Sequence, residues 1–362
     1  MFIASFSFMS EFPSSWYTSQ RQEISLTSSD IKTAVDERNI SPTLVTLTVQ
    51  NAALGLSMRY ARTRVGDMFL SSTAVLMSEL VKLISCLWLV YHEEGNSLMK
   101  LKEAINIQII KQPLDTLKVC VPSMIYVVQN NLLYVAASHL DAATYQVTYQ
   151  LKILTAALFT VAILKRQLIA TQWTALVVLL VGVAMVQLAQ TEPEKSDKTV
   201  PSGPEQHRWV GFSAALSACV LSGFAGIYFE KILKGSNVSV WMRNIQLSFL
   251  SLPFGLFTCL LYDWSTISSQ GFFFGYDAFI WYLVTLQATG GLLVAMVVKY
   301  ADNILKGFAT SLAIILSCVL SIYLFDFNLT LQFSLGTLLV MGSVFLYSYT
   351  PPKNMHAQAD KI

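Results

Sequence analysis

The sequence predicts an all-α polytopic membrane protein of about ten transmembrane helices in a 5+5 inverted repeat. First, 54% of its 362 residues are hydrophobic and 13% charged, against roughly 45–50% and about 25% in soluble domains. Second, a membrane helix needs about 20 mainly apolar residues, and ten such runs start near residues 40, 71, 116, 142, 170, 209, 239, 279, 304 and 329. Third, one polar stretch, Thr191 to Arg208, leaves five runs on either side. Five is odd, so a duplicated five-span unit inserts in opposite orientations and places its site near the midplane.

In chain order, residues 1–39 read as a polar tail. Ser5, Ser7, Ser10, Glu11 and Pro13 interrupt the apolar start and no basic leader precedes it, so a cleaved signal peptide is not expected. Residues 40–190 form the first repeat, 191–208 the linker, 209–349 the second repeat and 350–362 a C-terminal tail. The weakest span is the first, Ile40 to Met58, because Gln50 and Asn51 lie inside it; nine spans is therefore the alternative. Six of the 24 basic residues fall within or at the ends of spans: Lys82, Lys118, Lys152, Arg243, Lys299 and Lys306. With a cytosolic N-terminus the other eighteen divide twelve to six in favour of the cytosolic side. The excess of Lys and Arg on that side puts both termini in the cytosol and favours an even number, ten.

Other classes recede on composition. A net charge of +2 lacks the basic surplus of a nucleic-acid binder. Cys86, Cys120, Cys219, Cys259 and Cys318 all lie inside apolar runs without Cys-x-x-Cys spacing, and no His-Glu-x-x-His occurs, so no metal site or cofactor is expected. No Asp-x-Asp and no long interspan loop is present, which weakens the rival reading, a membrane-embedded glycosyltransferase using a UDP-sugar donor.

Helical spacing then decides where the polar residues point. Tyr145, Thr148, Tyr149 and Lys152 fall at i, i+3, i+4 and i+7, which gathers two phenols, a hydroxyl and an ammonium on one face. Tyr126, Asn130 and Tyr134 repeat at steps of four; Ser222, Gly226 and Glu230, Asn244, Ser248 and Ser251, and Lys306 and Thr310 form three more stripes. Toward lipid these groups would go unsatisfied, so the stripes should face a common wet interior. Single Ser, Thr or Asn residues are more often interhelical hydrogen-bonding groups than ligands. Glu79 and Lys82, at i and i+3, read as a structural or gating ion pair; Arg243 and Lys299 sit where they can snorkel, and Lys118 has Asp115 three residues before it. Lys152 has no carboxylate at i±3 or i±4, while Lys306 has only Asp302 at i−4. The two lysines open matching runs in the two halves. They suit a phosphate, which lysine binds as a point charge, and the tyrosines beside Lys152 offer a stacking face and a hydroxyl to a base.

The segments Gln129 to Leu154, Ser222 to Gly235, Val240 to Leu247 and Lys299 to Ser311 closely resemble the nucleotide-sugar transporters of the Golgi, over about Gln50 to Tyr349. That resemblance implies the drug/metabolite transporter fold, no enzymatic activity, residence in the Golgi membrane, and exchange of a cytosolic nucleotide sugar for luminal nucleoside monophosphate. Arg59 to Asp67, Glu230 to Asn244, Gly271 to Asp277 and Gly290 to Ser311 look most like the UDP-galactose branch, with UDP-N-acetylgalactosamine as a further substrate and the UDP-N-acetylglucosamine branch as the alternative; UMP is the implied counter-substrate. By resemblance Lys152 and Lys306 contact phosphate, Asn130, Tyr145, Ser222 and Asn244 match positions that hold the nucleotide, and Tyr149, in the same matching run, is counted with them as substrate-binding. Ser248, Val294 and Ala295 depart from the CMP-sialic acid pattern, which argues against cytidine. Oligomeric state stays open at this level, a homodimer included.

Overall fold

In hydrocarbon every backbone N–H and C=O must be satisfied within its own segment, so the apolar runs become helices. The computed structural model describes residues 28–165, 167–189, 207–234, 238–300, 303–325, 327 and 329–348, with side chains for all of these except 28–44, 234, 296–300 and 303–308. In order the helices are α1 (Ser28–Thr63), α2 (Ser71–Glu93), α3 (Leu98–Ile105) running into a π-helical turn (Asn106–Ile110), α4 (Pro113–Lys118), α5 (Cys120–His139), α6 (Ala142–Thr148) and α7 (Leu151–Leu164). After them come α8 (Ala170–Ala189), α9 (Arg208–Lys234), α10 (Val240–Tyr262), α11 (Trp264–Gln270), α12 (Ala278–Tyr300), α13 (Asn303–Phe325) and α14 (Leu331–Ser348). No strand occurs among the described residues.

Eight segments are long and apolar enough to cross a membrane: α2, α4 with α5, α6 with α7, α8, α9, α10, α12 and α14. The first and ninth expected spans are helical as well, as α1 and α13, but only the shorter apolar stretch Ala309–Phe325 of α13 is described with side chains. The chain is thus a multi-pass, all-helical membrane protein. The helix α1 covers residues 28–39 of the expected polar tail as well as the first expected span; Asp30, Lys32, Glu37 and Arg38 oppose burial in lipid but not helix formation. Most of the 191–208 linker, residues 1–27 and the C-terminal tail lie outside the described residues.

Numbering the expected spans one to ten, the packed pairs map onto one another when each number is advanced by five. Span two packs on seven (α2 on α10) and five on ten (α8 on α14), and these pairs map onto themselves. Four on six (α7 on α9) maps to nine on one (α13 on α1), three on six (α5 on α9) to eight on one (α12 on α1), and three on seven (α5 on α10) to eight on two (α12 on α2). A duplicated five-span unit produces this exchange of partners. Outside the bundle, Val177, Leu180 and Val181 of α8 and Leu335 and Leu338 of α14 are exposed apolar side chains, as a lipid-facing surface requires.

The pair α8 and α14 meets through two glycines. A Cβ built on Gly182 would stand 2.8 Å from the Gly336 carbonyl oxygen, and one on Gly336 would stand 2.8 Å from the Gly182 carbonyl oxygen. Val186 and Val340, each four residues on, close the contact from both sides. Backbone blocks backbone here, so no rotamer relieves the overlap. Gly182→Leu should cost roughly 1–3 kcal/mol by overpacking, read as a lower midpoint of thermal unfolding; an unchanged midpoint would show that the helices can separate freely.

Candidate functional site

The fourth span is broken within its first half, at Tyr149 and Gln150, without Pro or Gly. Between α6 and α7 the ladder tightens to three-residue bonds: Gln150 N–H to Val147 O (3.1 Å), Lys152 N–H to Tyr149 O (3.2 Å) and Ile153 N–H to Gln150 O (2.9 Å). Such a mid-helix stretch marks a hinge or a functional constraint. From α9 the Cys219 thiol donates to the Tyr149 carbonyl (3.5 Å), and Thr155 Oγ1 donates to the Cys219 carbonyl (2.6 Å). Gly223 lets the two helices close up, since a Cβ there would meet Ala156 N at 2.7 Å. The break is therefore clamped by α9.

Around it lies a cavity of about 60 Å³ lined by Asn51, Leu54 and Gly55 of α1, Tyr145, Gln146, Tyr149, Gln150 and Lys152, and Thr310 and Ala313 of α13. The Tyr145 and Tyr149 rings stack with centroids 6.0 Å apart and planes 8° from parallel. Lys152 Nζ stands 4.2 Å from the Tyr149 ring centroid, so a cation rests on an aromatic face. The Tyr149 hydroxyl accepts from Gln129 Nε2 (3.0 Å) and donates to Ser222 Oγ (3.4 Å). Gln146 Nε2 donates to the Asn51 carbonyl (2.9 Å).

Of the expected ligand residues, Tyr145, Tyr149 and Lys152 therefore come together and Ser222 joins them through Tyr149. Asn130 is half-buried on α5 and Asn244 donates to the Val240 carbonyl of its own helix (2.9 Å); neither lines the cavity. The Lys306 side chain lies outside the described residues, although its backbone is in α13, the helix that supplies Thr310. Sequence reasoning passed over Asn51, Gln146 and Gln150. Gln146 and Gln150 stand four residues apart within the Tyr145–Lys152 run, a legible signal; Asn51 had counted only as a defect in the first span.

Glu79 and Lys82 form the expected pair, with Lys82 Nζ to Glu79 Oε1 at 2.7 Å and side chains 10% and 2% exposed for Lys82 and Glu79 respectively. Glu79 Oε2 takes no hydrogen bond. Arg243 does not snorkel: it is fully buried, and its Nη2 meets Asp115 Oδ2 at 2.6 Å. Asp115 also meets Lys118 at 3.8 Å, so the neighbour expected from sequence is the longer of its two contacts. Gln246 extends the cluster, accepting from Arg243 Nη1 (2.8 Å) and donating to the Gln108 carbonyl and Thr116 Oγ1.

The opposite end of the bundle is tied by α1. Arg59 donates to the Ala137 and Ser138 carbonyls (3.2 and 3.0 Å) at the end of α5 and faces Asp141 at 3.6 Å. Arg62 bridges Ser138 Oγ and the Phe69 carbonyl. The segments Arg59–Asp67 and Gly271–Asp277 meet at an open cavity of about 490 Å³, crossed by an Arg64–Asp277 contact of 2.5 Å. The Arg64 hydrogen bond holds the Asp277 carboxyl below its ordinary value of 3.8. A lowered folded value means the pair's contribution is complete above the unfolded value and is lost as pH falls through the folded one. Because Asp277 is 47% exposed, Asp277→Asn should cost less than about 1 kcal/mol at neutral pH, in thermal unfolding that also flattens with salt. A larger loss would mean the pair is shielded from solvent.

Residues 39–348 match the family model described as nucleotide-sugar transporter. The chain belongs to the nucleotide-sugar transporter family. The chain is 52% identical over 308 residues to the UDP-N-acetylglucosamine transporter of Bos taurus, covering 84% of this chain and 94% of that protein. It is 50% identical over 329 residues to the UDP-galactose/UDP-N-acetylglucosamine transporter srf-3 of Caenorhabditis elegans, with 90% and 85% covered. It is 51% identical over 316 residues to the UDP-galactose translocator of Mus musculus, with 87% and 80% covered. Members of this family are transporters and not enzymes, so the glycosyltransferase reading is set aside. Among the described residues no group of three or more His, Cys, Asp or Glu side chains is placed to hold a metal ion.

Proposed function

We propose that this nucleotide-sugar transporter is a ten-span Golgi antiporter that brings UDP-N-acetylglucosamine into the lumen in exchange for UMP, with both termini cytosolic. UDP-galactose, favoured by the sequence segments alone, becomes the second substrate. Relatives half identical to this chain carry the former sugar in their names, one of them alongside UDP-galactose, and this supports the order. The mechanism rests on Lys152, an ammonium against a stacked pair of tyrosines at a helix break within a span. It takes the phosphates, with Lys306 entering from the second repeat, and Tyr145, Tyr149, Asn130, Ser222 and Asn244 hold the nucleoside. Glu79 and Lys82, paired within α2 and with Lys82 beside Gly291 of α12, serve as a structural or gating ion pair.

A cavity of about 60 Å³ is far smaller than the roughly 300–1,000 Å³ of a drug-sized pocket, so loading requires α6–α7 and α13 to part. Moving the Lys152 and Lys306 ammoniums through a drier state carries a desolvation cost. Bound phosphate offsets that cost, which makes movement faster with ligand than without and couples entry to exit. Both UMP and the UDP-sugar carry about two negative charges near neutral pH, so the exchange is close to electroneutral. In proteoliposomes preloaded with UMP and offered UDP, CMP and GDP sugars, UDP-N-acetylglucosamine should enter fastest and UDP-galactose next. Fastest entry of CMP-sialic acid would overturn the uridine assignment, and equal uptake by empty vesicles would overturn exchange.

A further inference from the structure

Between α2 and α5 the chain does not turn back directly. It runs through α3, the π-helical turn and α4, residues 98–118, with apolar side chains on both of its faces. Inward, Leu101, Ala104, Ile105 and Ile109 pack with Trp241, Met242 and Ile245 of α10, at the spacing of one helical stripe. Outward, Leu98, Met99, Ile110, Leu114 and Leu117 are 61–81% exposed and no part of the described chain covers them. Lys100, Lys102, Lys111 and Lys118 are exposed in the same stretch. Its two acids are Glu103 and Asp115, and Asp115 is engaged with buried Arg243. The outer surface is therefore apolar and basic together.

We propose that residues 98–118 form an interfacial cap that lies in the headgroup layer and binds anionic phospholipid. The stretch follows the membrane-crossing α2 and its last six residues, 113–118, open the crossing segment of α4 with α5, so it sits where the bundle leaves the hydrocarbon and its outward apolar side chains meet acyl chain rather than water. Amphipathic helices of this composition bind by buried apolar area plus attraction to anionic lipid. The lysines reach the phosphate layer from stems laid along the same surface. The cap is joined to α10 through Arg243–Asp115 and Gln246, whose amide nitrogen reaches Gln108 and Thr116. Lipid held on its outer face thus bears on a helix that packs against α2 and α5.

Hydrogen exchange of the full chain in nanodiscs tests this, with phosphatidylcholine alone compared with an equal mixture of phosphatidylcholine and phosphatidylserine. Both leaflets carry the same lipid, so the outcome does not depend on which end of the bundle is cytosolic, and failure leaves the transport assignment standing. Backbone amides of 98–118 should exchange more slowly in the anionic discs, by about fivefold for each lysine engaged, and the difference should shrink as salt rises. Replacing all four lysines by Gln should erase the lipid dependence, while replacing all four by Arg should preserve it. Equal exchange of the unaltered chain in the two lipids, or a lipid dependence that survives the Gln variant, would overturn the proposal.

Discussion

Lys152→Ala is expected to reduce UMP-driven uptake of UDP-N-acetylglucosamine by at least about thirtyfold. The ammonium sits on the Tyr149 ring, 4.2 Å from its centroid, at the edge of the mid-bundle cavity. Removing one partner of a dry, charge-assisted contact costs roughly 2–5 kcal/mol, which is about thirtyfold to a few thousandfold. The loss should appear in transport and in the rise of thermal midpoint caused by UMP, while the midpoint of the empty protein changes much less. Lys152→Arg keeps the charge but replaces a point donor with a planar fork, so part of the activity should survive. Wild-type uptake by the Ala variant would remove Lys152 from the phosphate site.

Arg243→Met should lower folding stability by about 3 kcal/mol. Arg243 is fully buried, so its loss leaves Asp115 and the Gln246 amide oxygen without their strongest partner. Deleting one member of a buried pair costs roughly 3–5 kcal/mol, and the lower end applies because Asp115 keeps 29% of its side-chain surface in contact with solvent. Adding Asp115→Leu should recover most of the thermal midpoint, since an apolar pair of similar volume is often as stable as the ion pair it replaces. If the double variant melts as low as the single one, the cost comes from Gln246 and the 98–118 segment rather than from the stranded carboxylate. The exposed Arg64–Asp277 pair, with a shorter contact, is expected to contribute much less. Exposure, not distance, separates the two.

The helices and the grouping of Tyr145, Tyr149 and Lys152 were readable in advance because both follow from local periodicity; Thr148, expected on the same face, instead accepts from Gln187 of α8. Apolar runs of span length have one structural solution in lipid, and side chains at i, i+3, i+4 and i+7 share a face wherever a helix forms. What resisted reading was set by distant parts of the chain. The break after Thr148 has no Pro or Gly to announce it; it is held by Cys219 and Thr155 across the α7–α9 contact. Asp115 has Lys118 one turn away, yet its shorter contact is with Arg243 from another span. Local spacing identifies candidate partners, and burial then chooses among them.

The reciprocal contact of Gly182 and Gly336 has a use for anyone following this carrier through its cycle. Each glycine stands toward the other as its image, so an approximate local dyad runs between them, and a duplicated pair of repeats would share it. A rearrangement that swaps the roles of the repeats moves other points of the bundle but maps that crossing onto itself. Spin labels or fluorophores on the lipid-facing sides of α8 and α14 near this crossing therefore supply a stationary ruler. Against it, displacement of α7 and α13 can be measured as motion within the molecule rather than as tumbling of the whole.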